Sequence, residues 1–377
     1  MKKLFWTMAL LASMTLTANA ETLPEVEEVE ATQDKATIEV PAWVKNIKFS
    51  GYGMLQYQGE DTEGAHSNTF NLRLARFILD GKIGDFDWRA QIQGTNVKGP
   101  GEPTVQLVDL YAEWRKYPEF KIRAGQFKRA FTFESLTHPI TQGWYSYGLA
   151  INNLVGYGDR TGEKSSGGRD IGIQVQGSLF PMSDNHRLLH YQLGVYNGEG
   201  INKKDADNQK DIIGGLWVMP IQGLRIGAFG WTGTKAEMDF KSLDLDAQGN
   251  RITTKLKSTR KNRYAISAEY DKNEYTLRAE YIHSQGWGTD AAWGDKADGW
   301  YAFGIVPVIK SKLHVKARYN VYRRSKDWES SKTMYEIGAN YFFNKKLQLN
   351  FEYARVNDRT QIKHNYNFVD VELDFRF

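Results

Sequence analysis

The chain has 377 residues and a formal net charge of +4 at pH 7, and it contains no cysteine. The missing thiols exclude disulfides, thiolate catalysis and cysteine-ligated metal sites, and the near balance of charge gives no support to nucleic-acid binding. Aromatic residues are abundant, with 20 Tyr, 19 Phe and 11 Trp. This composition suits a membrane β-barrel with aromatic girdles, although a secreted β-sandwich or sugar-binding protein can share it.

The first twenty residues have the layout of a secretory signal peptide. Lys2 and Lys3 supply the positive start, residues 4–11 form a mostly apolar core, and Ala18-Asn19-Ala20 is a small-x-small cleavage site. The apolar run is too short to span a bilayer, and no later stretch approaches the roughly 18 apolar residues of a spanning helix. We therefore expect residues 1–20 to be removed after Ala20, which lowers the formal net charge to +2.

A predicted barrel over residues 48–377 follows an acidic segment, residues 21–47, which we expect to lie in the periplasm. We predict sixteen antiparallel strands of about ten residues, and a count of 14 or 18 stays open. The predicted strands are 48–58, 69–82, 85–94, 105–116, 119–128, 168–180, 187–197, 210–219, 223–234, 260–270, 273–284, 298–309, 312–323, 332–342, 346–356 and 365–377.

Several of these segments alternate strictly between apolar and polar residues. In residues 369–377 every odd position is apolar and every even one is charged, and residues 313–321 show the same period of two. Alternation of this kind is typical of a strand with lipid on one side and water on the other. The C-terminal segment is expected to seal the barrel against residues 48–58, and Phe375 and Phe377 are expected to form its assembly signal.

Short and long connections alternate along the chain. Seven tight turns separate eight longer connections, of which the third, residues 129–167, is the longest. An even-stranded barrel with both termini on the periplasmic side has this arrangement, because its periplasmic turns are short and its extracellular loops are long. A soluble sandwich gives no reason for every second connection to be long.

Four short motifs occur in a characteristic order: residues 70–76 (FNLRLAR), 123–128 (RAGQFK), 169–172 (RDIG) and 193–200 (LGVYNGEG). Lys210-Asp211, Pro220 and Gly223 follow them. In this order and spacing the chain resembles the phosphate-selective porin O and P family across nearly all of the mature sequence. The resemblance implies a sixteen-stranded homotrimeric channel in the outer membrane of a Gram-negative bacterium. It also implies that the third extracellular loop folds inward and that lumenal arginines and lysines bind the anion.

A pore selects its solutes by diameter and by the sign of its lining charges. Arginine suits oxyanions because its planar guanidinium binds them in bidentate fashion. Our candidates for anion selectivity are Arg73, Arg76, Arg89, Lys121, Arg123 and Lys128 on strands, and Arg129 on the third loop. Asp109 and Glu113 are candidate counter-charges, so the alternative is the mixed lining of a general diffusion porin.

Arg76 departs from the simple pattern. Continuing Leu72 and Leu74 at period two would place it in lipid, where a midplane arginine costs roughly 2–4 kcal/mol. We therefore expect either a bulge between Ala75 and Phe77 or a position near the rim.

Two further features lie on predicted long loops. A basic cluster on the fifth loop could draw anions to the mouth or bind lipid phosphates, or it could be a solvated run. It comprises Arg251, Lys255, Lys257, Arg260, Lys261 and Arg263. Residues 143–148 (GWYSYG) on the third loop could form an aromatic slide for sugars, or they could pack the loop against the barrel wall.

The sequence thus predicts an all-β porin for small hydrophilic solutes, leaning to anions such as phosphate. A general or saccharide porin is the first alternative, and a barrel enzyme or a non-conducting surface ligand-binding protein is the second. The seven histidines are scattered without a catalytic or metal-binding motif, so we expect no catalysis, cofactor or metal. The expected partners are outer-membrane lipids and lipopolysaccharide, the transported solutes and the barrel-assembly machinery, but no nucleic acid.

Overall fold

A computed structural model describes residues 47–62, 65–96, 104–238, 248, 256–286 and 295–377. The predicted signal peptide and nearly all of the acidic segment lie outside these ranges, as do Arg251 and Lys255. Among the described residues, no helix is both long and apolar enough to cross a membrane.

Sixteen antiparallel strands form one closed ring in which each strand pairs with its sequence neighbours and β1 pairs with β16. The predicted count of sixteen is confirmed. The strands are β1 Lys48–Thr62, β2 Ala65–Ile83, β3 Phe86–Gly94, β4 Val105–Tyr117, β5 Phe120–Lys128, β6 Arg169–Pro181, β7 Arg187–Tyr196, β8 Asp211–Val218, β9 Leu224–Met238, β10 Leu256–Lys272, β11 Tyr275–Gly286, β12 Lys296–Ile309, β13 Leu313–Arg323, β14 Ser331–Asn344, β15 Leu347–Asp358 and β16 Asn365–Arg376.

Short helical turns occupy two of the long connections. Helices α1 (Pro139–Gln142) and α2 (Leu149–Leu154) lie in the connection between β5 and β6, and a 3₁₀ turn covers Trp328–Ser330. The first predicted long connection is shorter than expected, because β1 and β2 continue as a paired ribbon to Thr62 and Ala65. We call the two ends of the barrel the long-loop end and the short-turn end.

The closing strand β16 follows the predicted alternation. Asp370, Glu372 and Asp374 point inward and are each about 1% exposed, whereas Phe375 on the outer face is 39% exposed. The expectation that the charged face is open to water is therefore wrong at these three positions. Inward side chains surround them: Arg73 donates to Glu372, and Gln348 and Asn350 donate to Asp374.

The seam between β1 and β16 explains the terminal aromatic residues. Gly51 and Phe377 exchange two backbone hydrogen bonds of 3.0 Å, and the Phe377 ring lies where a side chain on residue 51 would project. The ring also contacts Phe49 and Phe77, at centroid distances of 5.9 and 5.8 Å. The last residue is thus part of the wall and completes the closure.

A bulge in the pairing of β1 with β2 resolves the position of Arg76. The register shifts between Met54 and Leu55, so that Leu74 and Leu72 pair with these residues and Arg73 is the extra residue. Leu74 and Arg76 consequently face inward, at 7% and 4% exposure. The predicted bulge exists, but it lies at Arg73 and not between Ala75 and Phe77, so Leu74 does not face lipid.

Exposed aromatic rings lie towards both ends of the outer wall. Those near the short-turn end are Phe49, Phe77, Phe86, Tyr117, Phe120, Phe180, Tyr275, Phe343 and Phe377, and those near the long-loop end include Tyr264, Trp300 and Tyr335. Aliphatic side chains such as Ile266, Leu277 and Ile337 occupy the band between them. Two aromatic girdles around an apolar band are the arrangement of a barrel embedded in a bilayer.

Candidate functional site

The connection between β5 and β6, residues 129–168, contacts the inner face of the opposite wall. The backbone N–H groups of Phe133 and Glu134 donate to Glu280 on β11, at 2.6 and 3.0 Å. Further along, Leu149 donates to Asn320 on β13 at 3.0 Å. Because β5 and β13 stand on opposite sides of a sixteen-stranded ring, the segment runs through the barrel interior. That it narrows a conducting pathway remains a prediction.

Charged side chains hold residues 143–148, which we call the tip segment, against the far wall. Arg73, Lys316 and Arg318 donate to its carbonyls, with distances of 3.4 Å to Trp144, 2.6 Å to Gly143 and 2.9 Å to Ser146. The N–H of Tyr145 donates to Glu352 at 2.7 Å. Donors from two separate parts of the ring therefore fix the backbone of the tip segment.

The aromatic side chains of the tip segment pack against the barrel wall. Trp144 is 1% exposed and lies against Phe303, with Arg318 over its ring at 4.4 Å. Tyr147 is also buried, and Tyr145 stacks on Phe368 with a centroid distance of 4.7 Å. These rings serve wall packing, so they do not form the aromatic slide that a saccharide channel would need.

Most of the predicted selectivity cations are neutralised by carboxylates. Arg73 pairs with Glu372 at 2.8 Å, Arg89 with Asp80 at 2.7 Å, and Arg123 with Glu113 at 2.6 Å. Arg129 is fully buried between Glu163 and Asp170, both at 2.9 Å. A paired arginine has much of its charge compensated. These four are therefore poorer anion ligands than their sequence positions indicated.

Arg76 and Lys128 differ, because within the described ranges neither forms an ion pair. Arg76 donates to the Gln93 amide oxygen at 2.6 and 2.8 Å and to the Tyr52 hydroxyl at 2.9 Å. Lys128 donates to the carbonyls of Ser135 and Thr137, the latter at 2.6 Å. Both cations are thus held by neutral acceptors that leave their charge uncompensated.

A third cation, Arg169, adjoins these two and was missed as a site residue by the sequence reasoning. It begins β6, directly after the crossing connection, and pairs with Asp109 at 2.6 Å. The signal for it was present in the RDIG motif. We call Arg76, Lys128 and Arg169 the inner cation cluster, three basic side chains of which only Arg169 has a carboxylate partner, Asp109, among the described residues. Lys121 lies apart from the cluster, half-buried near His190, and forms no ion pair in the described part of the chain.

The pKa of His138 reflects the positive electrostatic potential near the inner cation cluster. It precedes α1 in the crossing connection, and its pKa is lowered to about 3, first by burial and then by Lys128, Arg76, Arg169 and Arg89. The imidazole is therefore neutral at physiological pH. Among the described residues its Nδ1 has no hydrogen-bond partner, and the same holds for both polar atoms of the buried Gln91 amide, which stands opposite Asp109 in the strand register. The His138 Nδ1 and the Gln91 amide are thus polar groups free to bind a solute near the inner cation cluster.

The wall of β15 and β16 carries the opposite charge. Glu352, Asp370, Glu372 and Asp374 line it and are each about 1% exposed. The cations paired with this wall are Arg73 and, on Glu352, Lys316 at 2.6 Å. One oxygen on each of Glu352, Asp370 and Asp374 has no hydrogen-bond partner in the part of the chain that the structure describes. The interior therefore has a cationic side near β2–β6 and an anionic side at β15–β16.

The predicted basic cluster of the fifth loop does not form one patch. Strand β10 begins at Leu256, and its period of two turns Lys261 and Arg263 inward, where they pair with Asp211 at 2.9 Å and Asp159 at 2.7 Å. Arg260 is exposed on the outer face. Lys255 lies outside the described residues, and Lys257 is described only by its backbone. The expectation of a continuous cationic mouth is therefore wrong for Lys261 and Arg263, which anchor inner structure.

Two family models match consecutive parts of the chain. The phosphate-selective porin O and P model matches residues 50–217, and the Gram-negative porin model matches residues 224–361. No curated protein sequence matches significantly.

Solved outer-membrane channels have a similar fold. The anion-selective porin from Comamonas acidovorans is 13% identical over 88% of this chain and 99% of its own, with a TM-score of 0.63. OprB of Pseudomonas putida is 11% identical over 89% and 95%, with a TM-score of 0.60. OmpT of Vibrio cholerae in its trimer form is 13% identical over 88% and 99%, with a TM-score of 0.55. At these identities the likeness concerns the fold.

Proposed function

We propose that the chain is a Gram-negative outer-membrane porin that conducts small hydrophilic anions, with phosphate as the first candidate, since parts of it match the phosphate-selective porin O and P model and the Gram-negative porin model. Solutes move down their concentration gradient, and no covalent step is involved. The crossing connection between β5 and β6 narrows the pathway and brings the anion close to the inner cation cluster.

The observation that carries this proposal is the uncompensated charge of Arg76 and Lys128. An entering oxyanion can replace Gln93 and two backbone carbonyls as the hydrogen-bond acceptor, and it gains charge-assisted bonds in doing so. Arg169 adds a third positive charge at the same place. Weak neutral acceptors suit a channel, because a bound anion must also leave.

Two of the comparisons support this choice of solute. The phosphate-selective model matches residues 50–217, the part of the chain that contains the whole inner cation cluster. The neighbour from Comamonas acidovorans is described as anion-selective. We further propose a homotrimer, since one neighbour is described in a trimer form.

A general diffusion porin is the second candidate function. The four carboxylates at β15–β16 favour it, because an anionic stretch of wall close to a cationic one gives the interior both signs of charge and so admits ions of either sign. Under this alternative the two walls orient the solute and phosphate has no preferred site.

Planar bilayers separate the two candidates. In a potassium chloride gradient, the reversal potential of an anion-selective channel lies towards the equilibrium potential of chloride. That of a general channel lies near zero. Phosphate is then titrated into the chloride current from the micromolar to the millimolar range, and a bound anion lowers the current in a saturable way. A reversal potential favouring potassium would contradict anion conduction, and an unaffected current would remove phosphate as a bound solute. The double variant Arg76→Gln with Lys128→Gln should lose both effects, while Arg187→Gln, at a half-buried arginine that pairs with Glu119 at the short-turn end, is the matched control.

A further inference from the structure

An open groove of about 580 Å³ lies on the outer wall across β12–β15, facing away from the proposed pathway. Its floor consists of the small residues Ala302, Gly304 and Ala317, which are neighbours across β12 and β13. The tyrosines 335 and 353 border it on β14 and β15. Its volume lies in the roughly 300–1,000 Å³ range of sites that bind small molecules. The groove is therefore a recess in the outer wall, with small residues as its floor and tyrosines at its border.

The upper border of the groove belongs to the aromatic girdle of the long-loop end. Trp300, Tyr319 and Tyr335 form a continuous row, with centroid distances of 4.9 and 5.1 Å. Girdle rings mark the level at which lipid headgroups meet acyl chains. The floor residues Gly304 and Ala317 lie farther from the long-loop end than this row, at the level of acyl chains.

Arg355 stands at the same level, on the outer face of β15 and opposite Tyr335 in the register. Its guanidinium donates to the Asn367 side-chain oxygen at 3.0 Å, and the Tyr353 hydroxyl donates to the same oxygen at 2.7 Å. The neighbouring Asp61 carboxylate accepts from the Asn367 amide nitrogen at 2.6 Å. Arg355 makes no ion pair among the described residues, and the hydrogen bond to Asn367 uses only one of its five N–H donors.

An exposed arginine that faces lipid needs an anionic partner or a position at the interface, since its cost falls from roughly 2–4 kcal/mol at the midplane to about 0–1 near the headgroups. Arg355 has the interfacial position. The chemistry that complements it is a phosphate at headgroup level attached to an acyl chain that reaches down into the groove. Lys363, exposed in the adjoining connection, offers a second cation for a lipid with more than one phosphate.

We propose that the groove of Ala302, Gly304 and Ala317, together with Arg355, binds one phosphorylated and multiply acylated lipid of the outer leaflet. The long-loop end is the outer-leaflet side, because barrels of this type place their longer loops outside the cell. The small residues admit an acyl chain against the strand backbones, Tyr335 and Tyr353 flank it, and Arg355 donates to the phosphate. Asn367 positions both Tyr353 and Arg355 for this task.

Native mass spectrometry of the detergent-solubilised protein tests the site. The probes are bis-phosphorylated lipid A, the same lipid without its phosphates, and phosphatidylethanolamine. We expect one lipid A to be retained, and Arg355→Gln to lower its retention about fivefold, the effect of one cation at an anionic membrane surface. Ala317→Trp should block retention of every probe by filling the groove. Ala279→Trp, at an exposed alanine on the neighbouring β11 outside the groove, and Arg187→Gln are the matched controls, and both should bind as the unmodified protein does.

Three results would overturn the proposal. Equal retention of the phosphorylated and dephosphorylated lipids would mean that Arg355 does not recognise phosphate. Equal loss in Ala317→Trp and Ala279→Trp would mean that the groove is not a discrete site. If Ala317→Trp left lipid binding unchanged but abolished an oligomer, the groove would be a contact between copies of the chain.

Discussion

Arg73 on β2 reaches across β1 to Glu372 on β16, with its Nη1 at 2.8 Å from both carboxylate oxygens. Arg73 is the extra residue of the bulge in β2, and after it Leu74 and Arg76 change phase and face inward as well. The same guanidinium donates to the Trp144 carbonyl of the tip segment at 3.4 Å. One side chain thus links the closing strand, the bulge and the crossing connection.

Replacing Arg73 should destabilise the barrel more than replacing its partner. Arg73→Gln leaves Asp370, Glu372 and Asp374 buried without their shared cation, and removing one partner of a buried pair costs about 3–5 kcal/mol. Glu372→Gln removes one negative charge from an acidic wall, and Asp370 and Asp374 remain near Arg73. We expect a clearly smaller loss for Glu372→Gln. Guanidinium unfolding in lipid vesicles, followed by tryptophan fluorescence, measures both.

Arg89→Gln is the control for this comparison. Its pair with Asp80 is partly exposed, with side-chain exposures of 25% and 33%. Exposed pairs contribute only about 0–1 kcal/mol. If Arg89→Gln and Arg73→Gln lowered the free energy of unfolding equally, the special role of the buried pair would be wrong.

The crossing connection should respond to pH through Glu134. This carboxylate accepts from the backbone of Gly148 at 3.1 Å and from Gln142 at 3.2 Å. Burial raises its pKa to about 7, opposed by Arg318 and Arg278 and assisted by Glu280. A carboxyl with a raised pKa stabilises the folded state most below its unfolded value of 4.5, and that stabilisation is lost as the pH rises towards 7.

We therefore expect the free energy of unfolding to fall by about 3 kcal/mol between pH 4.5 and pH 7 on account of Glu134 alone, since one pKa unit corresponds to about 1.4 kcal/mol. Glu134→Gln should flatten the dependence in this window, as measured by unfolding at several pH values. Glu280, Tyr301, Arg278 and Arg318 surround the group and stay in place in the variant. An unchanged slope in Glu134→Gln would assign the titration to another group.

The next prediction compares a cation that pairs with a carboxylate with one that is held by neutral acceptors. Arg123 is paired with Glu113 and lies over the Tyr111 ring at 4.6 Å, whereas Arg76 contacts only neutral acceptors. Arg76→Gln should therefore reduce the ratio of chloride to potassium permeability several-fold, and Arg123→Gln should change it less. Reversal potentials in a salt gradient give both ratios. A larger effect of Arg123→Gln would place the selective position at Arg123 instead of at the inner cation cluster.

Much of the fold could be predicted from sequence because it repeats locally. The alternation in residues 369–377 and the succession of short and long connections are properties of neighbouring residues, and both led to the right strand number. The position of the bulge could not be read in this way, because a single extra residue such as Arg73 reverses the phase of Leu74 and Arg76 without changing composition.

The site was harder to predict because it depends on contacts between distant parts of the chain. Lys316 and Gly143 are 173 positions apart, and Arg73 and Glu372 are 299 apart. Sequence reasoning could select cations but could not tell which of them have carboxylate partners. It therefore grouped Arg129 with Lys128, although the first is neutralised and the second is not. The same limit applied to Lys261 and Arg263, whose inward direction follows from where β10 begins.

The last prediction concerns assembly. Deleting Phe377 removes the two backbone hydrogen bonds to Gly51 and the ring that contacts Phe49 and Phe77. The seam between β1 and β16 then ends one residue early, so the barrel should close more slowly and less completely. We expect a large fall in the amount of heat-modifiable, folded protein in outer-membrane fractions. Channels that do form should keep their selectivity, because the Phe377 ring lies on the outer face of the wall whereas Arg76 is buried on the inner face.

Phe343→Ala is the matched control, since it removes an exposed girdle ring of the same end without touching the seam. Phe377→Ala separates the ring from the backbone, because it keeps both hydrogen bonds with Gly51. If the ring matters for closure, Phe377→Ala should fall between the deletion and Phe343→Ala in folded yield. Equal yields for the deletion and Phe343→Ala would show that the terminal residue contributes only girdle surface and has no special part in closing the barrel.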